Sequence, residues 1–249
     1  MSGQTCLQVR GVGKRYGGVD ALADIDLDVP SGARHVILGP NGAGKTTLFR
    51  ILSGETTATS GTVVFRGQDI TAFPPYRRAA MGIARTFQVT TIFRKLTTLE
   101  NVILAVHGVR RTKFIPHRTV EQMRSVAEEA RRILDTVGLK GREGVVADSL
   151  AYGEQRQLEI GLGLASGPSL LLLDEPTSGL ARSEVPRIVG LLKSLPRGIT
   201  VVFIEHDMDV AFSLAETVTV LSLGRAIAEG PLEAVRANKL VQEIYLGEN

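Results

Sequence analysis

Gly39-Pro-Asn-Gly-Ala-Gly-Lys-Thr46 decides the reading of this chain. It fits the pattern G-x-x-x-x-G-K-[ST], a loop whose backbone wraps phosphate oxygens. The apolar segment His35-Val-Ile-Leu38 runs straight into it, and Thr46-Thr-Leu-Phe-Arg-Ile-Leu52 follows with helical character. Strand, glycine loop and helix start are what such a loop requires. Gly42 and Gly44 let the backbone curl until its N–H groups point inward, and the helix N-terminus adds partial positive charge at the same spot. Lys45 is then placed to neutralise the β- and γ-phosphates, and the Thr46 hydroxyl to hold Mg²⁺. A glycine-rich turn with a merely solvated lysine would lack this context, so the segment implies a bound nucleoside triphosphate.

Working outward, 249 residues suffice for one large α/β domain with a lobed insertion. No stretch approaches the roughly 20 apolar residues of a membrane span. The opening Met-Ser-Gly-Gln-Thr lacks a signal pattern, so cytosolic residence is expected. A single cysteine, Cys6, excludes an internal disulfide framework and a cysteine-rich metal site. The net charge of +3 is unevenly spread: Arg77 to Arg142 holds 14 Lys or Arg against 5 Asp or Glu, the remainder 15 against 21. A basic lobe on an acidic body suits anionic lipid or acidic partner loops. Aromatic interleaving of the kind that binds single strands is missing, so nucleic acid is not expected.

Leu7–Val29 alternates apolar and polar positions, with Gly11, Gly13 and Gly17-Gly18 as breaks, and reads with Gly61–Arg66 as a small antiparallel sheet. From Pro74 to Ser149 the pattern turns mainly helical. Thr97-Thr-Leu-Glu100 predicts a capping box opening a helix through Ala105. Val120, Met123, Ala127, Ala130, Ile133, Leu134 and Val137 share one helical face, with Gly138 at the C-terminal cap. The unbroken run Leu170–Leu173 suits a parallel strand covered on both faces. A helix at Val185–Leu195, a strand at Thr200–Glu205, a short helix and a strand at Thr217–Ser222 complete an α/β alternation. Asp174-Glu175 then closes a strand at the edge where ligands bind in open α/β sheets. The first carboxylate would steady Mg²⁺, and the second would orient and deprotonate an attacking water. His35, His107 and His117 read as structural or surface residues lacking partners, with no metal-ligand spacing among them.

Leu150-Ala-Tyr-Gly-Glu-Gln155 resembles the Leu-Ser-Gly-Gly-Gln signature of ATP-binding cassette (ABC) ATPases. Gln88, in Arg-Thr-Phe-Gln, resembles that family's Q-loop, and His206, in Ile-Glu-His-Asp, its switch histidine. The order and spacing match over nearly the whole chain. The resemblance implies a P-loop NTPase fold of class α/β, with a RecA-like parallel-sheet core, an N-terminal antiparallel β subdomain and a helical subdomain. Residues 1–249 form a single ABC ATPase domain on this reading. Its nucleotide-binding core is 7–86 with 168–222, its helical subdomain 87–167 and its C-terminal extension 223–249.

The resemblance also implies roles. ATP with Mg²⁺ would be held by Gly39, Pro40, Asn41, Gly42, Ala43, Gly44, Lys45, Thr46 and Thr47, with Tyr16 stacking on adenine. Thr46, Gln88 and Asp174 would serve the metal; Glu175 is the base, and His206 holds the γ-phosphate. Ala151, Tyr152, Gly153 and Glu154 would contact the ATP of a second ABC ATPase subunit in a head-to-tail dimer. Two transmembrane permease subunits and, indirectly, an external solute-binding protein complete the expected assembly, peripheral on the cytoplasmic face of the inner membrane. Gly82–Gln88, Ile92–Thr97, Glu100-Asn-Val, the basic insertion Val109–Arg118 and the ending Ile244–Glu248 are similar to importer ATPases for branched-chain amino acids, LivG-type rather than LivF-type. Importers of urea, amides or aromatic acids, lipid exporters and soluble ABC switches share much of the pattern. Within Val89–Val102, Ile92, Phe93 and Leu96 with Arg94 and Lys95 are the expected docking surface for the permeases.

Three departures stand out. Ala151 replaces the signature serine, Ala181 stands where Asp is common in the loop after the catalytic strand, and Gly161-Leu-Gly163 is expected to interrupt a helix. The chain's own site should therefore hydrolyse ATP, while the site it completes in trans should be weaker.

Overall fold

The computed structural model describes residues 4–86, 92–109 and 120–246. In chain order these form β1 (Thr5–Tyr16), β2 (Val19–Pro30), β3 (Arg34–Leu38), α1 (Lys45–Ser53), β4 (Ser60–Phe65), β5 (Gln68–Asp69), α2 (Pro75–Ala80) and β6 (Ile83–Arg85). There follow α3 (Thr98–Val109), α4 (Val120–Thr136), α5 (Tyr152–Leu164), β7 (Leu170–Asp174), α6 (Val185–Ser194), β8 (Thr200–Ile204), α7 (Met208–Leu214), β9 (Thr217–Ser222), β10 (Arg225–Pro231), α8 (Leu232–Arg236) and α9 (Lys239–Leu246). One sheet has the order β2-β1-β4-β5 and is antiparallel; the other has the order β10-β9-β3-β8-β7-β6. Within the second, β9, β3, β8, β7 and β6 are mutually parallel and β10 is an antiparallel edge.

The parallel strands are apolar throughout because both faces are covered. Leu171 and Leu173 of β7 join a core shared with α3, α4, α5 and α6, while Leu170 and Leu172 join a core shared with α1 and the antiparallel sheet. Val36 and Leu38 of β3 likewise face one core and Ile37 the other, as period-two alternation demands. This double burial fixes the register of β3 and β7, whose C-terminal ends carry the glycine loop and Asp174-Glu175. Gly11 interrupts β1 as a bulge rather than ending it, with φ 57° and a register shift between Val9 and Val12.

Several expectations need correction. β6 lies inside the stretch read as helical; it is only three residues long and its signal is too short to see against its neighbours. The capping box exists, with Glu100 accepting from Thr97 N–H at 2.8 Å and Thr97 Oγ1 accepting from Glu100 N–H at 3.2 Å, but its helix runs on to Val109. In α4, Val126 is buried with Ala130 and Leu134, and Gly138 caps at φ 77°. Gly161 and Gly163 do not interrupt α5, which is continuous. Lacking Cβ atoms, they let it pack closely: a Cβ at 163 would lie 3.1 Å from Leu171 Cδ1, and one at 161 would lie 3.4 Å from Ile133 Cγ2. Neither His107 nor His35 lacks partners: His35 bonds the hydroxyls of Thr217 at 2.8 Å and Thr219 at 3.1 Å and is fully buried. His117 and most of the basic insertion lie outside the described residues.

Candidate functional site

β3 delivers the chain into the glycine loop, and α1 takes it away. Gly39, Gly42 and Gly44 have φ of 150°, 79° and 101°, a region that only glycine enters freely. Two of them also face close backbone. A Cβ at Gly39 would lie 2.2 Å from the Leu221 carbonyl oxygen, and one at Gly44 would lie 2.7 Å from that of Ala21. Gly44 caps α1 with no side-chain acceptor, and the first turn carries no acidic residue. No acidic side chain of the helix's own first turn thus competes for its N–H groups and dipole. Lys45 Nζ folds back over the loop to donate to the carbonyls of Gly39 and Pro40.

The loop opens on a cleft of about 440 Å³ lined by Val19, Asp20, Ala21, Asn41 to Thr47, Glu175, Leu223 and Gly224. The β1–β2 hairpin supplies one wall. Tyr16, on that hairpin, is 48 % exposed, with Lys14 Nζ 5.0 Å from its ring centroid. Tyr16 is not among the residues lining the cleft, but its exposed ring stands on the same hairpin as one wall and is of the kind that can stack on a nucleobase.

β7 ends in Asp174, only 3 % exposed, whose Oδ2 accepts from Arg85 Nη2 at 3.0 Å. Burial raises the Asp174 pKa, and the Arg85 charge opposes the rise. Arg85 also reaches Glu55 at 2.9 Å and Ser53 at 3.2 Å, joining the end of α1 to the end of β7. Glu175 follows with φ 47°, left-handed for a non-glycine residue. Such a conformation costs on the order of 1–3 kcal/mol and persists only where its surroundings hold it. Here the Glu175 N–H donates to Ile204 O at 3.1 Å, and its carbonyl accepts from Arg156 Nη2 at 3.2 Å. The kink turns the carboxylate into the cleft, 3.9 Å from Nδ1 of the exposed His206.

His206 follows β8, and Asp207 after it caps α7 by accepting from Asp209 N–H and Val210 N–H. The buried Glu205 accepts from the Thr177 N–H at 3.1 Å and hydroxyl at 2.8 Å, tying the loop after Glu175 to β8. Burial raises the Glu205 pKa. Residue type alone marked neither Arg85, Arg156 nor Glu205; their roles depend on which strand ends meet.

The structure therefore brings Gly39 to Thr47, Asp174, Glu175 and His206 together. Gln88 lies outside the described residues. Thr46 and Asp174 offer hard oxygen donors of the kind Mg²⁺ takes. Ala151, Tyr152, Gly153 and Glu154 do not line this cleft. They form the N-terminal turn of α5, where Glu154 accepts from the Ala151 N–H at 3.1 Å and pairs with Arg142 at 3.0 Å. Ala151 itself gives no side-chain cap. In the expected docking segment Ile92 is not exposed but buried in the core, at 7 %, whereas Phe93 stands out at 58 %. Neighbouring Arg94 pairs with Asp148 at 3.2 Å.

Residues 22–178 match the family model for the ABC transporter. The chain is 35% identical over 252 residues to the high-affinity branched-chain amino acid transport ATP-binding protein LivG of Escherichia coli, covering 98% of this chain and 99% of that protein. It is 36% identical to BraF of Pseudomonas aeruginosa, of the same description, covering 97% and 98%. Among solved structures it resembles a nucleotide-free ATP-binding cassette from an ABC transporter, with TM-score 0.84, 30% identity and coverage of 97% and 98%. An ATP-binding cassette in its ADP conformation matches with TM-score 0.83, 29% identity and coverage of 98% and 99%.

Proposed function

The chain belongs to the ABC transporter family as an ATP-hydrolysing subunit, and from that premise we propose that it powers an importer of branched-chain amino acids. The substrate class rests on similarity to LivG and BraF over 98% and 97% of this chain. The observation that carries the mechanism is the cleft in which the glycine loop and Glu175 face each other.

ATP would sit with its phosphates on Gly39 to Thr47 and its adenine against Tyr16. Lys45 exchanges the Gly39 and Pro40 carbonyls for the β- and γ-phosphates. Thr46 and Asp174, with Gln88, would hold Mg²⁺, which when bound would neutralise charge developing on the β- and γ-phosphates. Glu175 orients a water in line with the γ-phosphate and takes its proton, and His206 holds the γ-phosphate oxygens.

As the resemblance to ABC ATPases implies, Ala151 to Glu154, which stand away from this cleft, would contact the ATP of a second ABC ATPase subunit, with ATP sandwiched between the two. ATP-driven closure and release after hydrolysis would then drive two permease subunits fed by an external solute-binding protein. The chain works peripherally, on the cytoplasmic face of the membrane. The permeases would dock along Phe93 and on a groove of about 530 Å³ lined by residues of α2, β6 and α5. Substituting Phe93→Asp should break assembly and spare ATP binding.

Affinity purification of the tagged chain from its own membranes in mild detergent tests the whole reading. Two permeases and a second ATPase should be recovered. Recovery of no membrane protein, from a chain that still hydrolyses ATP, would overturn it.

A further inference from the structure

The Gly153 N–H is the group that the proposed sandwich offers to the γ-phosphate of the partner's ATP, yet it is already engaged. Glu184, at the start of α6, accepts from it through Oε1 at 3.3 Å and accepts from the Ala181 N–H through Oε2 at 3.0 Å. One carboxylate thus bridges the N-terminal turn of α5 and the loop that follows Glu175. The fit is close: a Cβ at position 153 would lie 2.7 Å from Glu184 Oε1. Tyr152 adds to the bridge. Its hydroxyl donates to Ser178 O at 3.4 Å, and a Cβ at Gly179 would lie 3.1 Å from its oxygen. Ala151 and Ala181, the two departures noted in the sequence, bring no polar side-chain atoms here. The side-chain hydrogen bonds that join the two segments among the described residues come from Glu184 and Tyr152.

We propose that Glu184 is a positioning residue that occupies the Gly153 amide until the γ-phosphate of a partner's ATP displaces it, so that arrival of that phosphate is reported to the loop behind Glu175. This rests on the sandwich reading. One amide hydrogen cannot serve two anions at hydrogen-bonding distance, and a carboxylate beside a phosphate is repelled in a site that excludes water. Glu184 must therefore leave as the sandwich closes. Its departure releases the Ala181 N–H at the same time, because the same carboxylate holds both. The loop Thr177 to Ala181 then keeps its tie through Thr177 to Glu205 and is held to α5 only by the long Tyr152 to Ser178 bond. Binding at the site that this chain completes is thereby coupled to the segment that aims its own Glu175. The ATP of the partner pays for the displacement, and its apparent affinity falls by that amount.

The test is run on the assembled transporter with a non-hydrolysable ATP analogue. The measurement is the analogue concentration at which half-maximal nucleotide is retained through rapid desalting. Glu184→Ala should lower that concentration at least about fivefold, the small end of a coupling between sites, and Glu184→Gln, which keeps an acceptor without the charge, should lower it less. A purely structural carboxylate predicts the opposite sign, because its loss would loosen the signature turn. An unchanged or raised concentration in both variants overturns the proposal, and the Gln variant decides the matter if the Ala variant fails to fold. Absence of retained nucleotide in the unsubstituted complex would instead remove the sandwich, and this inference with it.

Discussion

Lowering the pH from 7.5 to 5.0 should cost the folded chain roughly 2 kcal/mol through a single side chain, His35. The ring sits wholly buried in β3, next to β9, with Nδ1 2.8 Å from Thr217 Oγ1 and Nε2 3.1 Å from Thr219 Oγ1. A neutral imidazole donates from one nitrogen and accepts at the other, which two hydroxyls satisfy. An imidazolium would need a compensating charge, and burial alone dominates here, depressing the pKa from 6.5 to about 3. Between those values the unfolded chain binds a proton that the folded chain refuses. The stabilisation is complete above pH 6.5 and is lost as the pH falls, at up to about 1.4 kcal/mol per pH unit. The interval from 6.5 to 5.0 then gives the figure stated, a sizeable share of a typical stability of about 5–15 kcal/mol. Urea unfolding of nucleotide-free protein across this range, for the parent chain and His35→Gln, reads it directly. Comparing the two removes the contribution of Asp174, Glu205 and Glu229, whose pKa values burial raises and whose stabilisation is lost in the other direction, as the pH rises. The advantage of the parent over the variant should shrink by roughly 2 kcal/mol between pH 7.5 and 5.0. Parallel curves would refute the reasoning.

Other perturbations address the site and its frame. Glu175→Gln should reduce turnover by roughly 10²–10⁴ while ATP binding persists, and near-normal hydrolysis would remove Glu175 as the base. Arg78→Met strips a buried donor from five backbone carbonyls and should destabilise by about 3 kcal/mol or more in urea unfolding; a loss under about 1 kcal/mol would show that water replaces it. Gly161→Ala should stabilise by up to about 1 kcal/mol through helix propensity, and Gly163→Ala by less, because its Cβ meets Leu171 Cδ1 at 3.1 Å. Equal gains would indicate that Leu171 moves aside freely.

The parts of the site set by local backbone were legible in the sequence. Gly39, Gly42 and Gly44 announce a loop with positive φ, and four leucines before Asp174 announce a strand covered on both faces. Tertiary pairing was not legible. β6 has three residues, too few for a period, and becomes a strand because β7 beside it offers a parallel edge. Ile92 looked exposed because it precedes Phe93 and Arg94 in a polar stretch, yet it packs into the core with α3 and α4. Gly161 and Gly163 looked like breaks because propensity favours alanine there, but a cost of about 1 kcal/mol each is too small to interrupt a helix held by its packing on Ile133 and Leu171. Glu184 is one more surface-type residue in the sequence, and only the fold of the loop after β7 sets it on Gly153.

The same blindness applies to arginine, and here it hides the reason the site keeps its shape. Composition assigns arginine to the surface, yet Arg34 and Arg78 are among the largest fully buried side chains. Arg34 donates to the carbonyls of Leu192 and Leu195 at the end of α6 and to those of Gly32 and Ile199. Arg78 donates to Ile51 and Leu52 at the end of α1 and to Ile70, Thr71 and Phe73. A helix C-terminus leaves four carbonyls without internal partners and a negative dipole end, so a buried guanidinium there meets both needs. It holds its charge despite desolvation, which lowers the Arg78 pKa only to about 10. α1 begins at the glycine loop and is anchored at its far end by Arg78 and, through Ser53 and Glu55 beyond it, by Arg85, which also holds Asp174. Arg156 in turn holds the Glu175 carbonyl. The glycine loop and the two acidic residues are therefore referenced to one rigid frame. Motion on ATP binding should therefore fall to groups outside this frame, such as exposed His206 and the Glu184 bridge.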